Sequence, residues 1–177
     1  MIRTPEEKDI QNLYTYLQNP QVRAYSRIKP SSAQELWDCM QERSESSDSI
    51  IRVIVNERDE AVGYIAIWEY NRFAREGFLA TIIGEEHWGK GYNERAKVSF
   101  LSHVFERELE TVYLLVRQTN NRSIRAVGKL PYVSEVPQEE MIRLKNLYAA
   151  IRDDHLIYGI YRSTFAAATD DFLQRST

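Results

Sequence analysis

The segment His87 to Ala96 (HWGKGYNERA) holds the residues whose types and spacing bear most directly on chemistry. Gly89 and Gly91 lack a Cβ, so the backbone between them can take positive φ and a ligand can approach it closely, while Lys90 adds a positive charge. An apolar run, Gly77 to Ile83, precedes this segment and stops at Gly84, and a helical pattern follows from Asn93. A strand, a tight turn and a helix start in that order aim unpaired backbone N–H groups, and the positive end of the helix dipole, out of the carboxyl end of the strand. That place suits phosphate. Gly84 to Gly89-Lys90 matches the spacing of a P-loop, but Gly91 stands where the metal-binding hydroxyl belongs. The dinucleotide fingerprint GxGxxG fails at Glu94, where a third glycine would be needed.

Few other residues offer chemistry of their own. Cys39 is the one cysteine and falls within a helical pattern, so helix packing is expected of it rather than nucleophilic work. One cysteine and three histidines give little for a metal centre, and none is expected. Asn120 and Ser123 sit at the start of a short helical stretch, where N-capping alone explains their types. With 23 Lys plus Arg against 26 Asp plus Glu, the net charge of −3 gives no basic field to hold a nucleic acid. The start MIRTPEEKD has no apolar run of signal length, and no stretch approaches a membrane span, so cytoplasm is the expected location.

The elements that must position the glycine turn follow from periodicity. Pro5 to Leu17 places Ile10, Leu13, Tyr14 and Leu17 on one helical face, ending at Asn19-Pro20. After a loop through Tyr25 to Pro30, Ser31 or Ser32 can cap a second helix running to about Arg43, with Glu35 placed to close a capping box on Ser32. Ile50 to Val55 and Ala61 to Trp68 flank the polar turn Asn56 to Glu60 and read as a hairpin. Gly77 to Ile83, apolar on both faces, reads as a strand inside a covered sheet. Asn93 to Leu109 is the long helix, Val112 to Val116 a strand, Arg122 to Leu130 a short helix and Leu156 to Tyr161 a last strand. Gln138 to Arg152 fits a helix or a twisted strand, and helix is favoured. At 177 residues, with no linker or repeat, one domain over 1–177 is expected: an α/β layered fold with helices covering a mixed sheet.

Three pieces in order resemble the GNAT N-acetyltransferase superfamily: GYIAIW in the hairpin, WGKGY opening the long helix, and NNRSIRAVGKLPY after the next strand. The resemblance is closest to its branch of ribosomal-protein N-terminal and spermidine acetyltransferases. With Ile2-Arg3 at the start and DHLIYGIYR near the end, it spans nearly the whole chain. It implies a mixed, mostly antiparallel sheet splayed between the strands Phe78 to Ile83 and Val112 to Val116, helices on both faces, and a pantetheine arm in the gap. It implies acetyl-CoA as co-substrate, with the backbone of Ile82 and Ile83 along the arm and Trp88, Gly89, Lys90, Gly91, Tyr92 and Asn93 around the pyrophosphate. Asn120 and Ser123 match the family's N-x-x-S, which assigns both to the cofactor and makes Ser123 the proton donor to the departing thiolate.

The implied reaction is direct transfer to an amine, either a protein N-terminus or a small molecule, and the resemblance is compatible with a homodimer. The family's loop pattern falls on Trp88, Gly91 and Asn93, and two of these depart from Gln or Arg and from Gly or Ala. The tyrosine seven residues after the asparagine falls on Val127, so that acid is absent. A branch glutamate falls on Phe78, and Glu76, on the same face by alternation, is the candidate base, with Glu69 a second. Pro131-Tyr132 replaces the usual Gly-Phe, and Gly128 weakens the helix it is expected to sit in. Tyr25, Trp68, Tyr70 and Tyr132 with Glu69, Glu76, Asp153 and Asp154 point to a cationic amine. The alternative is a non-catalytic acyl-CoA-binding module on the same fold.

Overall fold

The computed structural model describes residues 1–46, 49–107 and 109–175. Seven strands form one sheet: β1 (Ile2–Arg3), β2 (Ile50–Val55), β3 (Ala61–Asn71), β4 (Glu76–Ile83), β5 (Thr111–Arg117), β6 (Ser134–Glu135) and β7 (His155–Tyr161). Their order is β1-β2-β3-β4-β5-β7-β6, and β4 with β5 is the parallel neighbour pair in an otherwise antiparallel sheet. Helices α1 (Ile10–Gln18), α2 (Pro20–Arg23), α3 (Ala33–Glu45), α4 (Tyr92–Arg107), α5 (Asn121–Val127), α6 (Gln138–Leu147) and α7 (Arg162–Arg175) complete the chain.

Side-chain alternation along β4 sorts the core into layers. Leu79 and Ile83 pack with Phe100, Leu101, Val104 and Phe105 of α4 on one face. Ala80 and Ile82 turn the other way, toward the cluster of Leu13, Leu17, Leu36 and Met40 from α1 and α3. Phe78 shares that second face but joins Tyr113, Leu144 and Tyr148 beside α6. Burial of large apolar side chains on both faces, at roughly 25 cal/mol per Å², fixes the helices to the sheet.

Helix α3 begins as a capped helix should, but the capping box is not closed as expected. Ser32 Oγ accepts from Glu35 N at 3.1 Å, whereas the Glu35 carboxylate takes the N–H and hydroxyl of Ser31. The first helix starts at Ile10 rather than Pro5, because Glu7–Asp9 forms a 3-10 turn before it. The expected loop after Pro20 holds α2, with Pro20 in its first turn and Asn19 Oδ1 accepting from Gln21 N at 2.9 Å. β3 runs on to Asn71 past a register shift, with Glu69 at φ 51. α4 ends at Arg107, and Glu108, inside the expected span, lies outside the described residues. α5 stops at Val127, so Gly128 is its C-cap and not an interior residue. Gln138 to Leu147 is helical. Helix α7 was not expected; its Phe165 packs against Phe105 and Tyr132.

Candidate active site

The parallel pairing of β4 and β5 covers Glu76, Gly77 and Phe78, opposite Thr111, Val112 and Tyr113, and goes no further. Beyond Phe78 the two strands part, so the sheet opens into the cleft implied by the family. Gly84 N donates to Val62 O at 2.9 Å. By alternation, the N–H groups of Ile82 and Ala80 then face β3, that of Leu79 closes the last rung of the ladder with β5, and those of Thr81 and Ile83 face the opened seam. The backbone donor expected near Ile82 is therefore displaced by one residue. Ile82 still lines the cleft, as does Ile83.

At the carboxyl end of β4 a 3-10 turn, Glu85–His87, leads into the glycine loop. Gly89 and Gly91 have φ of 74° and 77°, the left-handed region that a glycine adopts without strain. A Cβ built on Gly89 would meet nothing within 4 Å, so conformation and not crowding selects glycine there. Trp88 does not face the loop with a charged group. Its Nε1 donates to Ile83 O at 2.8 Å, and its ring carries the Arg122 guanidinium, 3.2 Å from the ring centroid. The cation missing at position 88 thus arrives from α5. Lys90 does not line the cleft, whereas Arg122, Arg125 and Lys129 do. The Tyr92 hydroxyl donates to Glu57 at 3.3 Å, and Arg95 lies over its ring.

Asn93 does not crowd the loop. Its Oδ1 accepts from Nζ of Lys97, one turn on, and both residues line the cleft. Lys97 is 6 % exposed, and burial pushes its amine from 10.5 down to about 7. Sequence reasoning passed over Lys97, although it sits at inward helical spacing beside Ala96, Phe100 and Leu101. Across the gap, Thr81 Oγ1 is buried and without a hydrogen-bond partner.

Asn120 is the N-cap of α5, its Oδ1 accepting from Ser123 N at 3.1 Å. Capping is thus a demonstrated role, and both residues also line the cleft. Among the described residues the Ser123 hydroxyl has no protein partner. Val127, at the place of the family's tyrosine, is buried core. Over the opening, the Tyr25 hydroxyl donates to Thr119 O at 3.4 Å and ties the α2–α3 loop to the loop after β5.

The structure corrects the first choice of base. Glu76 is buried at the closed end of the seam and does not line the cleft. Its carboxylate accepts from Arg143 at 2.7 and 3.0 Å and from Tyr148 at 2.7 Å. Burial pushes this carboxyl up, but the Arg143 and Tyr148 bonds outweigh it and hold it below its ordinary value. A carboxylate so bound is a poor base. Glu69, displaced by the irregularity in β3, lines the cleft instead. The carboxylates expected around the acceptor are otherwise elsewhere: neither Asp153 nor Asp154 lines the cleft, and Asp153 pairs with Lys145 at 3.3 Å. Tyr25 and Trp68 line it, while Tyr70 does not and Tyr132 is buried against Phe165.

The cleft measures about 1590 Å³, above the usual range for one small ligand, and runs from the glycine loop to Trp68. Among the described residues no three metal-ligating side chains gather, and no helix is long and apolar enough to cross a membrane.

A sheet opened beside a glycine loop, with Arg122, Arg125 and Lys129 lining the same cleft, suits a phosphate-bearing ligand. The chain belongs to the GNAT acetyltransferase family, whose domain model matches residues 1–132, and so to the enzymes that move an acetyl group from acetyl-CoA to an amine. The spermidine N-acetyltransferase of Vibrio cholerae, solved with CoA and spermine, superposes with a TM-score of 0.74 at 19% identity, over 94% of this chain and 97% of that one. A chimera of that enzyme and hSSAT gives 0.72 at 18% identity, over 94% and 97%. These likenesses establish the fold. No curated protein sequence matches the chain.

Proposed function

We propose that residues 1–177 work as one acetyltransferase domain in which the opened seam holds the pantetheine arm and the glycine loop holds the pyrophosphate. The observation that carries this is the seam itself, which closes at Phe78 and ends at two glycines with positive φ. Backbone N–H groups of Thr81 and Ile83 are available to the arm and to the thioester carbonyl, where a fixed donor lowers the barrier as negative charge develops. Arg122, stacked on Trp88, faces the phosphates. Asn120, Ser123, Gly89, Gly91 and Asn93 complete the cofactor wall.

In the proposed reaction Glu69 takes a proton from the acceptor ammonium, directly or through water. The freed amine forms the C–N bond as the C–S bond breaks, the Ser123 hydroxyl gives its proton to the departing sulfur, and the proton that the new amide nitrogen sheds replaces it through solvent. General acid and base groups of this kind contribute about 10²–10⁴-fold each. The acceptor is a small-molecule amine, in keeping with the spermine bound in the structure of the Vibrio cholerae enzyme. The test is release of CoA thiol across a panel of amines. Glu69→Gln lowers kcat by roughly 10²-fold or more. Tight acetyl-CoA binding without thiol release from any amine refutes transfer and leaves the binding-module alternative.

A further inference from the structure

Two guanidiniums meet over one indole at the far end of the cleft. Arg43 Cζ lies 4.0 Å from the Trp68 ring centroid and Arg27 Cζ lies 6.0 Å from it. All three residues line the cleft. Trp68 is opposite Phe78 and Gly63 opposite Ile83, so five residues of strand separate this end from the glycine loop. At about 3.3 Å per residue that is roughly 17 Å. Arg27 and Arg43 are therefore too distant to serve the pyrophosphate, which has Arg122, Arg125 and Lys129 beside it.

Neither guanidinium is held in a contact ion pair where it stands. Among the described residues no carboxylate lies within 4.0 Å of either guanidinium; burial lowers the Arg27 pKa, Glu69 attracts that cation from beyond ion-pair distance, and Arg43 repels it. Arg43 donates its Nε to Cys39 Sγ at 3.2 Å, which leaves its two terminal nitrogens as a fork. Stacking occupies the face of a guanidinium and keeps its in-plane N–H groups open for two parallel bonds to a carboxylate or phosphate. Arg117 and Arg152, which with Arg27 act on His155, add positive field to the cleft, against Glu42, Glu69 and the nearby Asp154. An acceptor end of this sign repels a polycation.

We propose that the acceptor carries its own anionic group, a carboxylate or a phosphate, gripped by Arg27 and Arg43 over Trp68 while its amine meets Glu69. This rests on the acetyl-transfer reading above. It departs from the polyamine named for the structural neighbours.

The experiment compares CoA thiol release by the full chain for matched amines: β-alanine, phosphoethanolamine, propylamine and spermidine. The anion-bearing amines are expected to exceed propylamine by at least 100-fold in kcat/KM, with spermidine below both. Arg27→Gln and Arg43→Gln bring the ratio of anionic to neutral amine toward one. The better of β-alanine and phosphoethanolamine tells carboxylate from phosphate. Preference for spermidine, or a ratio indifferent to both substitutions, overturns the proposal. Arg27 is an exposed loop residue, so its variant keeps the test usable if Arg43→Gln does not fold. Calorimetric titration of the CoA-loaded protein with the same amines reads the pocket without turnover. Arginine-dependent binding there, with no thiol release, fails the transfer reading alone, and absent binding fails the anionic pocket.

Discussion

Replacing Lys97 by Met removes a buried amine and keeps an unbranched chain of similar length, and it should make the protein more stable at neutral pH. Lys97 lies under the cleft with one hydrogen bond, to Asn93, and its amine falls from 10.5 to about 7 on folding. At roughly 1.4 kcal/mol per tenfold change in proton affinity, that fall corresponds to a ceiling of roughly 4 to 5 kcal/mol against folding. Losing the bond to Asn93 returns about 1 kcal/mol of this, so the variant gains roughly 2–4 kcal/mol at pH 7. The pH dependence is the sharper reading. Between about 7 and 10.5 the unfolded chain binds the proton that the folded chain has released, so stability of the parent rises with pH in that window. Below pH 7 the penalty is complete, and above 10.5 it is gone. Urea unfolding of both proteins at pH 7, 8 and 9 should show the gap between them narrowing by roughly 1.4 kcal/mol per pH unit. A gap that stays constant across that range, or a variant no more stable than the parent, refutes the assignment of a neutral buried amine.

Gly91→Asp forces a side chain into φ 77° and sets a carboxylate against the phosphates, so acetyl-CoA binding by calorimetry should weaken roughly 100-fold or more. Unchanged affinity would remove the loop from the site. Glu76→Gln removes the closest charge partner of Arg143, leaving it Glu140 at 3.8 Å and the Tyr113 hydroxyl, and should lower stability by roughly 1–3 kcal/mol, while kcat at a temperature where the variant is folded stays near the parent's. A loss of kcat without a loss of stability would restore Glu76 as the base. Because folding holds the Glu76 carboxyl below its ordinary value of 4.5, its contribution is present above that pH and is lost as the pH falls through the folded value. Melting in acid with and without the substitution checks this. Acetyl-CoA at 100 times its Kd should add about 2.7 kcal/mol, a rise of roughly 5–10 °C in Tm for a chain of this size.

The strands and the long helix were legible because their patterns are strong: Ile50 to Val55, Gly77 to Ile83 and Asn93 onward each show one period clearly. What escaped had little local signal. β1 and β6 are two residues each and exist through their partners, and the first turns of α7 present a run of alanines after Phe165. The glycine loop was legible for a physical reason, since positive φ at two positions needs glycine. The charges that act with it were not. Arg122 lies on a different element from Trp88 and meets it through folding alone, as Arg27 and Arg43 meet Trp68 from two separate segments. Glu76 misled because alternation gives the face of a residue but not its depth, and depth placed it with Arg143 instead of the acceptor. Lys97 was hidden by its type, because a lysine amid apolar helix positions is read as the solvated side.

The parting of β4 from β5 beyond Phe78 has a consequence for how the protein behaves in a tube. A sheet ordinarily has two edges, but here the seam adds two more in its middle, each with unpaired backbone donors and acceptors. Such edges are templates for pairing with a strand of another molecule. On the proposed reading acetyl-CoA fills the gap and occupies those groups, which would make the ligand a stopper against self-association as well as a reactant. Stocks stripped of CoA should cloud and sediment sooner than loaded ones at equal concentration, and colloidal stability becomes a reading of cofactor occupancy.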